Sequence, residues 1–153
     1  MSDFHIISTE TWRVRLPADW QEKKSSAEDS HYFESEDGSK GAYFATWLLS
    51  EKGNTAQGEL ETFRRHELKS LEKMKDRKWA VRDQWTAESA QVATTGLDCY
   101  DSEHSYRIIC VLHGQLPWIV RASFHDYNCA DYQESKLYFQ PLIDSLEIHQ
   151  DGG

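Results

Sequence analysis

Long apolar runs and targeting signals are absent from this sequence of 153 residues. No segment approaches the ~18 consecutive apolar residues that a membrane-spanning helix needs. The N-terminus has no basic start, and the pair Ile6-Ile7 is too short for the apolar core of a secretory signal peptide. The three cysteines, an odd number without a secretion signal, are typical of reduced thiols. We therefore expect a cytoplasmic protein that does not insert into a membrane.

The sequence also has no recognisable motif for metal, phosphate or covalent chemistry. It contains neither His-Glu-x-x-His nor Cys-x-x-Cys, and Cys110 and His113 would face opposite sides of a strand. Residues 38–41 lack the strand–loop–helix context of a phosphate-binding loop. The acidic segment 98–103 lacks the spacing of a calcium loop and is predicted to be a solvated turn. We predict a non-enzymatic protein with no cofactor and no metal site.

Charge and length set further bounds. The 26 acidic residues exceed the 17 basic residues, so the formal charge is −9, which argues against non-specific binding to nucleic acid. The length and the 39% hydrophobic content suit one globular domain. We assign residues 1–150 to a single domain and residues 151–153 to a disordered tail.

Alternating apolar residues predict strands on both sides of one long helix. Residues 12–16 have the period of a half-buried strand, and Asp37-Gly38 is a hairpin signal. The main predicted strands are 4–8, 12–16, 31–34, 41–49, 79–86, 91–99, 105–113 and 118–127, and a last short strand is predicted at 146–149. A polar loop is expected at 19–30, and a second helix should start near Asp131 and be kinked or split by Pro141. About seven or eight strands and two helices predict an antiparallel α+β sandwich.

The long helix is predicted at residues 56–76. Apolar residues recur there at three- and four-residue spacing, with an interruption only at Glu67. Asn54 and Gln57 have the spacing of a capping box at its start. A row of basic residues follows the helix at four-residue intervals: Arg65, Lys69, Lys73 and Arg77. This row suits either a solvated helix face or a docking stripe for an acidic partner.

The tryptophans divide between strands and one loop. Tyr43, Ala45, Trp47 and Leu49 share one face of the strand at 41–49, because side chains alternate along a strand. Trp47 is therefore assigned to the core, as are four other tryptophans in strands, and Trp20 is assigned as a loop anchor.

The last two long strands are predicted to form a hairpin with two different faces. Residues 106, 108, 110 and 112 would share the core side with residues 118, 120, 122 and 124. The other side would mix aliphatic and basic groups in a partly exposed surface that could hold an apolar helix. The candidate partner-binding residues on that side are Arg107, Ile109, Val111, Ile119, Arg121 and His125.

The segment Trp12-x-Val14-x-Leu16-Pro17-x-x-Trp20 resembles the opening strand of the PsbP-like superfamily. The order of the later elements is also similar, and the closing helix ends in Ser145-Leu146. The resemblance covers nearly the whole chain and implies the PsbP-like fold. The superfamily includes extrinsic photosystem subunits, a Ran-binding nuclear import factor and small bacterial proteins. This chain is similar in size to the bacterial cytosolic branch, which includes chaperones of type VI secretion effectors.

Three functions stay open at this point. The resemblance and the mixed hairpin face favour a protein-binding module of a bacterial cytosol, an adaptor or chaperone for a secreted effector. The alternative is an immunity protein that covers a basic toxin site with acidic loops such as 98–103 or 34–37. The third is a small-ligand-binding protein with a pocket under the sheet. The resemblance also implies a possible homodimer.

Overall fold

A computed structural model describes residues 3–24, 30–49, 55–89 and 91–149, in which ten strands and two helices lie. The strands are β1 (Phe4–Ser8), β2 (Trp12–Pro17), β3 (Gln21–Lys23), β4 (Ser30–Glu34), β5 (Lys40–Leu48), β6 (Ala80–Ser89), β7 (Val92–Asp101), β8 (Tyr106–Gln115), β9 (Trp118–Asp126) and β10 (Glu147–Ile148). The helices are α1 (Ala56–Glu72) and α2 (Tyr132–Ser145). The predicted α+β class is confirmed, with more strands than the seven or eight expected. The predicted tail at 151–153 lies outside the described residues.

The strands form two antiparallel sheets. The larger has the order β3-β4-β5-β9-β8-β7-β6, and the smaller has the order β1-β2-β10. The meander after α1 and the β4-β5 hairpin lie where the sequence predicts them. Strand β3 differs, because it lies inside the predicted polar loop. Its three residues are all exposed and pair with β4 through the backbone, so no apolar alternation marks this strand.

Each face of the seven-stranded sheet is covered by its own layer. On one side, the small sheet and α2 enclose an aromatic core, in which Trp12 stacks on Phe44 with 4.6 Å between ring centroids and Phe139 of α2 is fully buried. On the other side, α1 packs on β7 and β8 through Leu60 and Leu71. Among the described residues, no helix is long and apolar enough to cross a membrane.

Helix α1 begins at Ala56, as predicted, but its N-cap lies one residue after the predicted cap. The hydroxyl of Thr55 accepts a hydrogen bond from the backbone N–H of Gly58 at 3.0 Å, so Thr55 is the N-cap. The predicted capping box of Asn54 and Gln57 is therefore wrong, and Asn54 itself lies outside the described residues.

Helix α1 also ends earlier than predicted, at Glu72, with Lys73 as its C-cap. The last residue of the basic row, Arg77, therefore lies beyond the end of the helix. The guanidinium of Arg77 lies 5.2 Å from the centre of the Tyr106 ring and 4.0 Å from the carboxylate of Asp101. This arginine therefore packs against the sheet beyond the end of α1 and is not part of a continuous docking stripe.

Helix α2 starts as predicted and is not interrupted. The carboxylate of Asp131 accepts hydrogen bonds from the backbone N–H groups of Gln133 and Glu134. The predicted split at Pro141 is wrong, since the helix continues to Ser145. Proline removes one backbone hydrogen bond, and the burial of Phe139 and its neighbours in the core outweighs that loss.

Candidate functional site

The six candidate partner-binding residues lie on two opposite faces of the seven-stranded sheet. Ile109 pairs with Phe124, and Ile108 pairs with His125. Residues directly opposite each other in an antiparallel pair share a face. Odd-numbered residues of β8 therefore lie with even-numbered residues of β9. As a result, Arg107, Ile109 and Val111 face the α2 side, whereas Ile119, Arg121 and His125 face the α1 side.

The predicted partly exposed surface on this hairpin is wrong, because both of its faces are covered. The four residues Arg107, Ile109, Val111 and Ile119 are at most 2% exposed. Arg121 and His125 are half-buried. A central strand between two packed layers buries apolar side chains on both faces, so its sequence does not alternate between core and solvent. The partner-binding role of the six residues stays a prediction, without the groove on which it was based.

Arg107 belongs to a buried network that joins the sheet to α2. Its Nε and Nη2 atoms donate to the two carboxylate oxygens of Asp98 at 3.0 and 2.9 Å, and its Nη1 atom donates to Ser135 at 2.9 Å. The hydroxyl of Tyr132 donates to the same carboxylate. The segment predicted to be a solvated turn therefore contains a buried carboxylate at Asp98 and another at Asp101.

Asp101, Glu103 and His104 bring ligand atoms within 4.8 Å of one another. The Asp101 carboxylate already faces Nδ1 of His104 at 2.7 Å and accepts from the backbone N–H of Glu103 at 3.1 Å. Burial alone would raise the pKa of Asp101, but the contacts with His104 and Glu103 lower it below its usual value. These internal contacts account for the cluster, which therefore gives no support for a bound metal.

Glu67, the charged residue in the apolar stripe of α1, points towards the sheet. It accepts a hydrogen bond from Nε of Arg121 on β9 at 2.6 Å, and both side chains are 23% exposed. Nearer the start of α1, Leu60 lies against Gly114 of β8. Near the ion pair, the two layers enclose a cavity of about 240 Å³, which we call the α1 cavity. It is lined by Glu67, Ser70, Leu71, Met74, Leu97, Cys99, Ile108, Cys110, Arg121, Ser123 and His125.

A chain of hydrogen-bonded side chains forms one side of the α1 cavity. Nε2 of His125 lies 2.8 Å from the hydroxyl of Ser123, and Nδ1 lies 2.7 Å from the hydroxyl of Tyr106. Burial, and then the charge of Arg121, lowers the pKa of His125 from 6.5 to about 3. The imidazole is therefore neutral at physiological pH. Such a weak base does not activate the neighbouring serine as a nucleophile.

Two of the three cysteines contribute to the cavity wall. Burial raises the pKa of Cys99 and Cys110 to about 12. Both thiols are therefore protonated at neutral pH, and protonated thiols are poor nucleophiles and poor metal ligands. They act as small apolar groups that line the cavity.

A surface of large aromatic side chains lies beside the α1 cavity. We call it the aromatic face and define it by Tyr32, Tyr43, Trp47 and Phe63. Tyr43 and Trp47 are 37% and 38% exposed, although Trp47 was assigned to the core from the sequence. Tyr32 stacks on Tyr43 at 4.3 Å, and Phe63 of α1 lies 5.1 Å from Trp47. The assignment of Trp47 is wrong because α1 packs mainly on β7 and β8, so β5 lies at the side of the helix.

The sequence predicted a pocket under the sheet only as the third alternative and without residues, although one signal for the α1 cavity was present. A charge at Glu67 inside an apolar stripe requires a partner on the facing surface, because an unpaired buried charge is costly. The partner, Arg121, was assigned to a different surface. The aromatic face had no comparable signal, since alternation along β5 does not tell how far a helix extends across the sheet.

Comparisons with known proteins identify the fold. No protein-family profile and no curated protein sequence matches the chain. The chain is similar to the solution structure of the cyanobacterial PsbP protein CyanoP from Synechocystis, with a TM-score of 0.71 and 10% identity over 97% of this chain and 94% of that chain. A crystal structure from Bacteroides thetaiotaomicron aligns with 93% of this chain and 46% of its own length, at 18% identity and a TM-score of 0.47, which is too low to support an argument. The resemblance seen in the sequence is therefore confirmed at the level of the fold, and the chain has a PsbP-like α+β fold.

Proposed function

We propose that this chain is a non-enzymatic protein-binding module that holds an apolar segment of a partner protein on the aromatic face. The observation that carries the proposal is the exposure of Tyr43 and Trp47 on the same side of one strand. Contiguous exposed apolar surface on a monomer marks interaction sites. Tyrosine and tryptophan are also the residue types most enriched among interface residues that dominate binding energy.

The geometry of the aromatic face suits a helical segment. Tyr43 and Trp47 are four residues apart on β5, which places them about 13 Å apart along the strand. Residues seven or eight positions apart on one face of a helix have a similar spacing of about 10–12 Å, because the rise is ~1.5 Å per residue. Phe63 of α1 lies beside Trp47 and borders the exposed sheet surface on one side. An amphipathic helix could therefore place two apolar side chains against the two exposed aromatic residues.

The proposed partner is a secreted bacterial effector with exposed apolar segments, and the proposed role is that of a cytoplasmic adaptor or chaperone. The resemblance to the bacterial PsbP-like branch supports this class of partner. The neutral His125 and the protonated thiols support a non-enzymatic role. The immunity alternative has less support, because two carboxylates of its acidic segment, Asp98 and Asp101, are buried in internal contacts.

Affinity purification from the native host tests the proposal with three forms of the chain. These are the wild type, the double variant Tyr43→Glu/Trp47→Glu and the control Leu137→Glu. Leu137 lies on α2 and is 78% exposed, so its substitution places the same charge on apolar surface elsewhere. We expect one stoichiometric partner with the wild type and with the control, and its loss from the double variant. A folded double variant that retains the partner contradicts the proposal.

The apolar segment of the captured partner is then titrated as a synthetic peptide by calorimetry at several temperatures. A negative heat-capacity change, absent in the double variant, is expected from burial of apolar surface. A second copy of the chain is the other occupant that the face could hold. A wild-type dimer that Tyr43→Glu/Trp47→Glu converts to monomers would assign the face to self-association and refute the proposal.

A further inference from the structure

The α1 cavity is larger than the voids that packed protein layers normally leave, which rarely exceed a water molecule. The pair formed by Glu67 and Arg121 lies between helix and sheet at this point. We propose that the cavity is a binding site for a small uncharged molecule with an apolar body and one hydrogen-bonding group. Monocyclic and bicyclic aromatic compounds form the chemical class that fits best. The α1 cavity differs from the aromatic face, because it would hold a small molecule and not a segment of a partner protein.

The volume of the cavity sets the size of the ligand. An apolar cavity of about 150 Å³ in another protein binds benzene. At about 240 Å³, the α1 cavity has room for a bicyclic molecule such as indole. Pockets that hold drug-sized ligands begin at roughly 300 Å³ and extend to several times that volume. The site therefore favours a compact molecule over an extended chain or a nucleotide.

The lining of the cavity sets the chemistry of the ligand. Most of the wall consists of apolar side chains: Leu71, Met74, Leu97, Cys99, Ile108 and Cys110. Three of the five polar lining residues, Arg121, Ser123 and His125, follow one another on the same side of β9, and the other two, Glu67 and Ser70, lie on α1. Both ring nitrogens of His125 are already hydrogen-bonded, so a hydroxyl or ring N–H of the ligand would donate to the hydroxyl oxygen of Ser123, which keeps a free lone pair beside its bond to His125.

The charges in the cavity balance, which selects against an ionic ligand. Arg121 is paired with Glu67, and His125 is neutral at physiological pH. A ligand carboxylate or ammonium would therefore enter a half-buried site without a free counter-charge, at a cost in desolvation. An uncharged molecule avoids this cost and exchanges water for apolar contacts.

The entrance lies along the second half of α1. Ser70 is exposed and lines the cavity, and Met74 is 43% exposed just after the helix. Methionine has a flexible, unbranched side chain that adapts its shape to a neighbour. A small molecule can therefore reach the cavity past Met74 without disruption of the sheet.

Indole is the probe for the first experiment, with benzoate as the charged counterpart. The chain contains two methionines, so selective labelling of methionine and isoleucine methyl groups gives a simple NMR spectrum in which Met74 reports on the entrance and Ile108 on the cavity wall. We expect indole to shift the Met74 signal in a saturable manner and to give nuclear Overhauser contacts with the methyl groups of Met74 and Ile108. Benzoate is expected to bind more weakly. A non-saturable indole shift, or tighter binding of benzoate, overturns the proposal.

A matched pair of variants locates the site. Ser70→Trp fills the entrance, and Lys69→Trp adds the same side chain to the neighbouring exposed position that does not line the cavity. We expect Ser70→Trp to weaken indole binding about tenfold or more, and Lys69→Trp to leave it within about twofold. Equal binding by a folded Ser70→Trp variant overturns the proposal. If Ser70→Trp does not fold, the nuclear Overhauser contacts of indole with the wild type test the proposal. Their absence at both Met74 and Ile108 also overturns it.

Discussion

The guanidinium of Arg107 and the carboxylate of Asp98 form two parallel hydrogen bonds, at 3.0 and 2.9 Å, in a site where each side chain is 3% exposed. Removal of one partner from a buried pair leaves an uncompensated charge. We predict that Arg107→Leu lowers the free energy of unfolding by about 3–5 kcal/mol, measured by urea denaturation. The partner-binding role of Arg107 stays a prediction, and this measurement tests its structural role in the buried pair.

Two further variants distinguish this loss from a general effect of removing arginine. Arg65 is 71% exposed and 3.6 Å from Glu61, so Arg65→Leu should cost no more than about 1 kcal/mol. The double variant Arg107→Met/Asp98→Leu removes both charges, and we expect it to be more stable than Arg107→Leu alone. Similar unfolding free energies for Arg107→Leu and Arg65→Leu would contradict the assignment of a buried pair.

The ring of Trp85 on β6 lies over Gly96 on β7. A Cβ atom at Gly96 would lie 2.0 Å from two atoms of that ring, far inside any permitted contact. We predict that Gly96→Ala lowers the free energy of unfolding by about 1–3 kcal/mol, because the ring has to leave its place on the sheet. The measurement is urea denaturation with both single variants and the double variant Gly96→Ala/Trp85→Leu.

The double variant tests the cause of that loss. If the ring is the obstacle, Gly96→Ala should cost much less in the Trp85→Leu background, which gives a coupling energy of about 0.5–3 kcal/mol. Additive losses would mean that the glycine is required by the strand itself and not by the tryptophan ring.

The fold was largely predictable, because its signals are local. Apolar patterns located both helices and nine of the ten strands to within a few residues, and the polar cap at Asp131 marked the start of α2. The failure concerned the pairing of the last hairpin. An even number of residues in the connection at 114–117 requires an odd-numbered position of one strand to oppose an even-numbered position of the other, as Ile109 and Phe124 do. The predicted faces combined even with even, although the connection length already argued against this.

The candidate sites were less predictable, because they depend on how layers are placed over one another. Glu67 and Arg121 are 54 residues apart in the chain and come together only when α1 packs on β7 and β8, so that Glu67 reaches Arg121 on β9. The exposure of Trp47 depends on where α1 ends relative to the sheet, and the spacing of apolar residues in the sequence does not predict that position. The charged residue Arg107 predicts that β8 is half-exposed. In the structure, Asp98 neutralises the charge of Arg107 inside the protein.

His125 gives the stability of the chain a defined pH dependence. It faces Tyr106 and Ser123 through hydrogen bonds, Tyr43 and Tyr127 through ring contacts, and the charge of Arg121. Its pKa is about 3 in the folded chain and 6.5 without the fold. The unfolded chain therefore binds the proton first as the pH falls, so stability is complete above pH 6.5 and is lost below it, by up to about 1.4 kcal/mol per pH unit from this residue.

The unfolding free energy of the wild type and of His125→Gln, measured at intervals between about pH 7.5 and 5, tests this relation. Most carboxyl groups stay ionised in that range, so the slope is dominated by histidines. We expect the slope of His125→Gln to be smaller but not zero, because burial also lowers the pKa of His113. His31→Gln is the matched control, since His31 is exposed and bonds to Glu22 at the surface. An unchanged slope in His125→Gln would mean that the imidazole takes up a proton in the folded state. The α1 cavity would then carry a positive charge, which would contradict the proposed preference for an uncharged ligand.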